Sequence, residues 1–97
     1  MKAHIMVRYT IEEFDKWLEV FEGMEAQREA HGGKEWRVFR NEDKLEELII
    51  LLDWTDFEQA RAYVELPELV EVMSNAGVTS KPEVLFLDEV KKYKPSG

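Results

Sequence analysis

The side chains able to do chemistry in this chain are few. It has two histidines, His4 and His31, and no cysteine. General bases near neutral pH are therefore scarce, and thiolate nucleophiles, disulfides, Cys-based zinc sites and iron-sulfur clusters are excluded. His31 falls where a helix should end and can serve the terminal carbonyls. His4 lies mid-strand, where a hydrogen bond across an interface competes with a role as base. Asp53, beside Trp54 at a strand end, is either a base or a surface cap. No His or carboxylate spacing makes a closed metal site, and no G-x-G-x-x-G segment marks a nucleotide cofactor. No metal or cofactor is expected.

Arg28 is the cation that matters. It follows Phe21 by one heptad and Phe14 by two, so it shares a helical stripe with inward aromatics. There it can hold an anionic substrate group, or it can snorkel outward and pair with Glu25 or a sheet carboxylate. Trp17, Trp36, Trp54 and Tyr63 can wall a cavity for a flat ligand, or simply fill a core. The expected small-molecule site is bounded by Phe14, Trp17, Phe21, Tyr63 and Met73 above Ile5 and Val7, with Arg28 as its polar end.

The elements that must position these residues follow from periodicity. Lys2 to Tyr9 alternates, with Ala3, Ile5, Val7 and Tyr9 on one face, as a half-buried strand does. Thr10 with Glu13 has capping-box spacing, with Tyr9 available to staple Phe14, and predicts a helix starting near Ile11. That helix carries Phe14, Trp17, Leu18, Phe21 and Met24 on one stripe and runs about six turns to Gly32-Gly33. Glu35 to Asn41 and Glu47 to Trp54 read as a hairpin around Asn41-Glu42-Asp43-Lys44. Thr55 with Glu58 predicts a second capped helix with Phe57, Ala60, Tyr63 and Val64 inward. Pro67 interrupts it, and a short continuation through Leu69, Val70 and Met73 closes at Gly77. Glu83 to Val90 is the last strand, and residues 91–97 form a polar tail, so a single domain spans residues 1–90.

The order is β-α-β-β-α-β, an α+β ferredoxin-like fold with helices on one face of a four-stranded antiparallel sheet. The third and fourth strands are apolar on both faces: Ile49 and Leu51 oppose Leu48, Ile50 and Leu52, and Leu85 and Leu87 oppose Val84 and Phe86. The uncovered face calls for a partner, most simply a second copy.

Composition narrows the rest. A chain of 97 residues holds one modest core, so any cavity must be small. With 13 basic and 21 acidic residues the formal charge is -8, which repels phosphate backbones. The sheet also lacks the stacking aromatics and basic surround of an RNA-binding face, so no nucleic-acid partner is expected. Within the two helical regions twelve acids face three bases. The longest apolar run, Leu48 to Leu52, is far short of the ~20 residues of a membrane span, and no signal-peptide core precedes it. A cytoplasmic protein without a membrane partner is expected.

Several of these features carry a resemblance. The double-faced third strand ending in Asp53-Trp54, the Ala60-Arg61-Ala62 helix, the Leu66-Pro67-Glu68-Leu69 break, and the stretches Ala76-Gly77-Val78 and Pro82-Glu83-Val84 resemble small dimeric α+β barrel proteins of the antibiotic biosynthesis monooxygenase type, over about residues 2–90. The resemblance implies a homodimer joined through its sheets, with a pocket between helices and sheet in each subunit. It further implies a cofactor-free monooxygenase or cyclase acting on an aromatic or enolisable molecule; the alternative is a non-catalytic dimeric binding or structural module. Relatives that use haem take an axial His from the second helical region. Here Met73 stands near that place, Tyr63 near the pocket tryptophan, and Val7 replaces a polar first-strand residue, which disfavours haem chemistry.

Overall fold

In a computed structural model, which describes residues 3–96, four strands and four helices follow the order β1 (Ala3–Thr10), α1 (Phe14–Gly23), α2 (Glu25–Ala30), β2 (Gly33–Asn41), β3 (Lys44–Trp54), α3 (Phe57–Val64), α4 (Glu68–Asn75) and β4 (Glu83–Asp88). Lys2 and Gly97, placed by periodicity in the first strand and the tail, lie outside the described residues. The strands form one antiparallel sheet in the order β2-β3-β1-β4, so the α+β ferredoxin-like arrangement is present. Among the described residues no helix is long and apolar enough to cross a membrane.

Register assigns the two faces. Ile5 lies opposite Leu52 and Phe86, and Val7 opposite Ile50 and Val84, while Trp36 and Val38 pair with Leu52 and Ile50. Because side chains alternate along a strand, these residues share one face. The buried members of that face join Trp17, Ala60 and Tyr63 from the helices in a single core. The other face carries Met6 between Leu51 and Leu85, with Phe39 beside Ile49 and His4 beside Leu87. Phe39, Leu85 and Leu87 are exposed there, so the apolar outer face expected from the third and fourth strands is present.

Both capping predictions are corrected. Thr10 does not start a helix: its hydroxyl is paired with that of Thr79 at 2.7 Å and its amide donates to Ser80 Oγ. Ile11 continues outward to bridge Val78, and α1 begins only at Phe14, with no side-chain cap from Glu13. Tyr9 consequently contacts Trp17 through a hydrogen bond rather than stapling Phe14. Thr55 is likewise spent elsewhere, its amide and hydroxyl both donating to the Gly32 carbonyl. Asp56, one residue on, caps α3 by accepting from the Gln59 amide at 2.8 Å. A threonine at a strand end competes between capping and tying loops together, and here the loop contacts prevail in both cases.

The first helical region is not one six-turn helix. It breaks at Gly23-Met24, where Met24 leaves helical geometry (ψ 6°); glycine is a poor interior helix residue. Gly32 supplies the left-handed turn (φ +99°) before β2. The second region breaks at Pro67, as predicted, and closes at Gly77 (φ +82°). Val70 does not face inward; it is exposed. The last strand stops at Asp88 instead of Val90, and residues 89–96 carry no regular structure.

Candidate functional site

Between the helices and the inner sheet face lies a cavity of about 130 Å³. Its floor is the inner row of β1 and β3, where Ile5, Val7 and Ile50 alternate inward. One wall is an aromatic ladder from α1. Trp17 stacks on Phe21 (4.7 Å between centroids, 16° between planes), and Phe21 meets the edge of Trp36 at 4.9 Å. Across the cavity Trp54 packs on Tyr63 at 4.8 Å, and Met73 of α4 completes the lining.

Arg28 closes one end. It is only 4% exposed, and its guanidinium lies 3.9 Å above the Phe21 ring and 5.9 Å from Trp36. The break at Gly23-Met24 leaves it on the inner stripe, seven residues beyond Phe21. Its placement depends on a close approach behind it, for a Cβ on Gly33 would come within 2.8 Å of the Arg28 carbonyl oxygen. Among the described residues Arg28 makes no salt bridge, so the pairing with Glu25 or a sheet carboxylate considered from sequence is not formed. Its Nη2 is buried with no hydrogen-bond partner.

Burial governs the electrostatics. It lowers the Arg28 pKa, which the Tyr63 phenol and then Glu25 and Tyr9 partly restore; the Tyr63 phenol approaches the guanidinium without completing a well-aligned hydrogen bond. Burial likewise raises Tyr63, and it pushes Tyr9 up to about 12 against the opposing hydrogen bond from Trp17. An arginine remains charged at neutral pH even so. The cavity thus presents one cation and two neutral phenols. Tyr9 accepts the Trp17 indole N–H at 2.8 Å and keeps its own hydroxyl proton to donate.

Of the residues expected at the site, Trp17, Phe21, Arg28, Tyr63 and Met73 all line this cavity, and Phe14 does not. Phe14 opens α1, roughly 10 Å along the axis from Phe21, so it packs on Trp17 (5.8 Å between centroids) beyond the end of the cavity. There it sits under Arg40, whose Cζ is 4.6 Å from its ring, in a shallow surface cleft. Tyr9 was missed because a single inward tyrosine on a strand reads as core; only the Trp17 hydrogen bond gives it away.

Among the described residues no Asp, Glu or His side chain lines the cavity. His31 caps α2, its Nδ1 donating to the Gln27 carbonyl at 2.9 Å. His4 is on the outer face, bonded to Asp53 at 2.8 Å and 3.6 Å from Glu89. Among the described residues no three His, Asp or Glu side chains gather as metal ligands. The arrangement can bind and stabilise negative charge in an apolar setting.

This layer of helices over a four-stranded sheet recurs in solved structures. SnoaB, a cofactor-independent oxygenase from Streptomyces nogalater, superposes in a single-substitution variant with a TM-score of 0.73 at 18% identity, covering 94% of this chain and 95% of that one. An antibiotic biosynthesis monooxygenase matches with a TM-score of 0.67 at 14% identity, covering 92% and 99%. The chain has the antibiotic biosynthesis monooxygenase-like α+β fold. A Nitrosomonas europaea protein of unknown function shares the same fold, with a TM-score of 0.67 at 15% identity and coverage of 99% and 96%. No family model and no curated protein sequence matches the chain. At these identities the likeness is one of fold, which does not by itself carry a function.

Proposed function

We propose that the chain is a small-molecule enzyme of the cofactor-free oxygenase or cyclase kind, acting on an aromatic or enolisable substrate held in the cavity, and that it works as a homodimer joined through the outer sheet face. The observation that carries the reading is the apolar cavity with a buried guanidinium at one end, its Nη2 without an acceptor, and two neutral phenols beside it. In such chemistry the substrate supplies the electrons. Loss of a proton to water leaves an enolate or phenolate, which Arg28, Tyr9 and Tyr63 stabilise in a setting of low dielectric. That anion can then reduce O₂: a C–O bond forms to give a peroxide anion, which takes a proton back from water to become the hydroperoxide, and loss of water leaves a carbonyl where a CH₂ stood. One oxygen atom ends in product and the other in water. The cavity's apolar walls fix the reacting carbon while water reaches it from the open side.

A lining of apolar side chains and phenols, without an acid or imidazole among the described residues, favours the second reading, a binding module that does no chemistry. Oxygen uptake separates them. A panel of hydroxyaromatic and β-dicarbonyl compounds should include members that bind and consume O₂ with one-to-one formation of a carbonyl product. Binding of panel members with neither O₂ uptake nor ring closure by mass spectrometry would establish the module instead.

A further inference from the structure

We infer that the cavity is selective for a small, single-ring or comparably compact carboxylic acid, its carboxylate seated on Arg28 and its flat apolar body lying along the Trp17–Phe21 ladder. The inference rests on the reading of the cavity as the substrate site and goes beyond it by naming the ligand's charge and size.

Charge follows from Arg28. A buried cation without a counterion is costly, and a buried donor without an acceptor adds to the cost. Stacking on Phe21 and Trp36 offsets part of it, but leaves Nη2 without an acceptor. Beside it stand the phenols of Tyr63 and Tyr9, and Glu25 acts on the guanidinium only through space, without forming a salt bridge among the described residues. A ligand carboxylate would supply both charge and acceptors, and the guanidinium fork matches its planar geometry. A carboxylic acid is ionised at any pH where the fold operates, whereas an enol must first lose its proton against a pKa far higher. A permanent carboxylate therefore relieves Arg28 more fully than the reacting group would.

Size follows from volume. A cavity of about 150 Å³ lined with apolar side chains accommodates benzene, and this one measures about 130 Å³. One ring fits. Three fused rings would have to project from the open side of the cavity or move the α1 ladder or α4.

The probes are benzoate, its neutral isostere benzamide, toluene, anthracene-9-carboxylate and inorganic phosphate, read by intrinsic tryptophan fluorescence, since Trp17 and Trp54 line the cavity. Benzoate should bind at least tenfold tighter than benzamide, about 1.4 kcal/mol. It should also bind at least tenfold tighter than anthracene-9-carboxylate. Arg28→Met should abolish the preference over benzamide while toluene binds as before. If Arg28→Met fails to fold, Arg28→Lys decides: a charge without the fork should weaken benzoate yet keep it ahead of benzamide. Equal binding of benzoate and benzamide by the native chain overturns the inference. So does a preference that survives in Arg28→Met, tighter binding of the three-ring acid, or displacement of benzoate by phosphate at equal concentration, which would mark a site for inorganic anions. Turnover of neutral enolisable compounds that benzoate does not inhibit would overturn this inference and leave the enzyme reading standing. Selective benzoate binding with no turnover of any acid would do the reverse.

Discussion

Tyr9 shows how one residue links fold and site. Its ring is buried on the inner face of β1, its oxygen accepts the Trp17 indole N–H, and the same phenol faces the cavity. Tyr9→Phe keeps the ring and deletes the oxygen, which leaves a buried indole donor unpaired and should cost about 1–3 kcal/mol, read by urea unfolding at pH 7. The native phenol, pushed up to about 12, holds its proton more tightly than an unfolded tyrosine near 10. Its burial is therefore fully accommodated below about pH 10. From there to about pH 12 the unfolded chain loses the proton first, and stability should fall by up to about 1.4 kcal/mol per pH unit. The Tyr9→Phe chain should lack that component, so the gap between the two should narrow as pH rises across this window. Parallel alkaline stability profiles would show that Tyr9 is not desolvated. Arg28 was legible from spacing because a heptad step of seven from Phe21 stays on a helix face. Phe14 was misplaced by the same rule, because spacing gives the face of a helix and not how far along that face the cavity extends.

At the scale of elements, the positions of strands and helices were legible and their junctions were not. Alternation identified β1 and the double-faced β3, and Pro67 marked the break between α3 and α4. Hydroxyl side chains at strand ends were ambiguous, since Thr10 and Thr55 have several backbone and side-chain partners within reach and only tertiary placement selects among them. The break at Gly23-Met24 was visible as a glycine, yet a helix with a strong inward stripe usually tolerates one. The junction that matters most for the site is α2 to β2. Gly33 there has ordinary backbone geometry, and its lack of a side chain matters because the Arg28 carbonyl would lie 2.8 Å from a Cβ and the Arg28 Cβ 3.2 Å away. Gly33→Ala must therefore push α2 off β2, since the obstacle is backbone. The expected cost is about 1–3 kcal/mol, accompanied by weaker benzoate binding as the guanidinium moves from Phe21. A Tm and benzoate affinity both unchanged would mean that α2 shifts freely and does not position Arg28.

At the scale of the molecule, the helical layer is acidic and the opposite sheet face is apolar, so two copies should meet sheet to sheet. Register places Met6 between Leu51 and Leu85, and Leu85 is 43% exposed in a single chain. That exposure makes Leu85 the informative position. Leu85→Glu adds a charge that water can solvate in an isolated protomer, so the fold should survive. In a dimer the same carboxylate would be desolvated beside Met6, where the cation on the same face, Arg8, is already opposite Glu83 at 3.6 Å, at a cost of several kcal/mol, roughly. Light scattering at micromolar concentration should give about twice the 11.5 kDa chain mass for the native sequence. Leu85→Glu should give a single chain mass with an unchanged far-UV circular dichroism spectrum. A native chain that scatters as a monomer would refute pairing through this face, and a Leu85→Glu chain that remains dimeric would move the seam to another surface. Substrate-site chemistry should respond little to the substitution, because Leu85 and the cavity lie on opposite faces of the sheet. If benzoate affinity fell together with the mass, the second copy would have to brace the β4 edge of the cavity, where Val84 lines it from the next position along the strand.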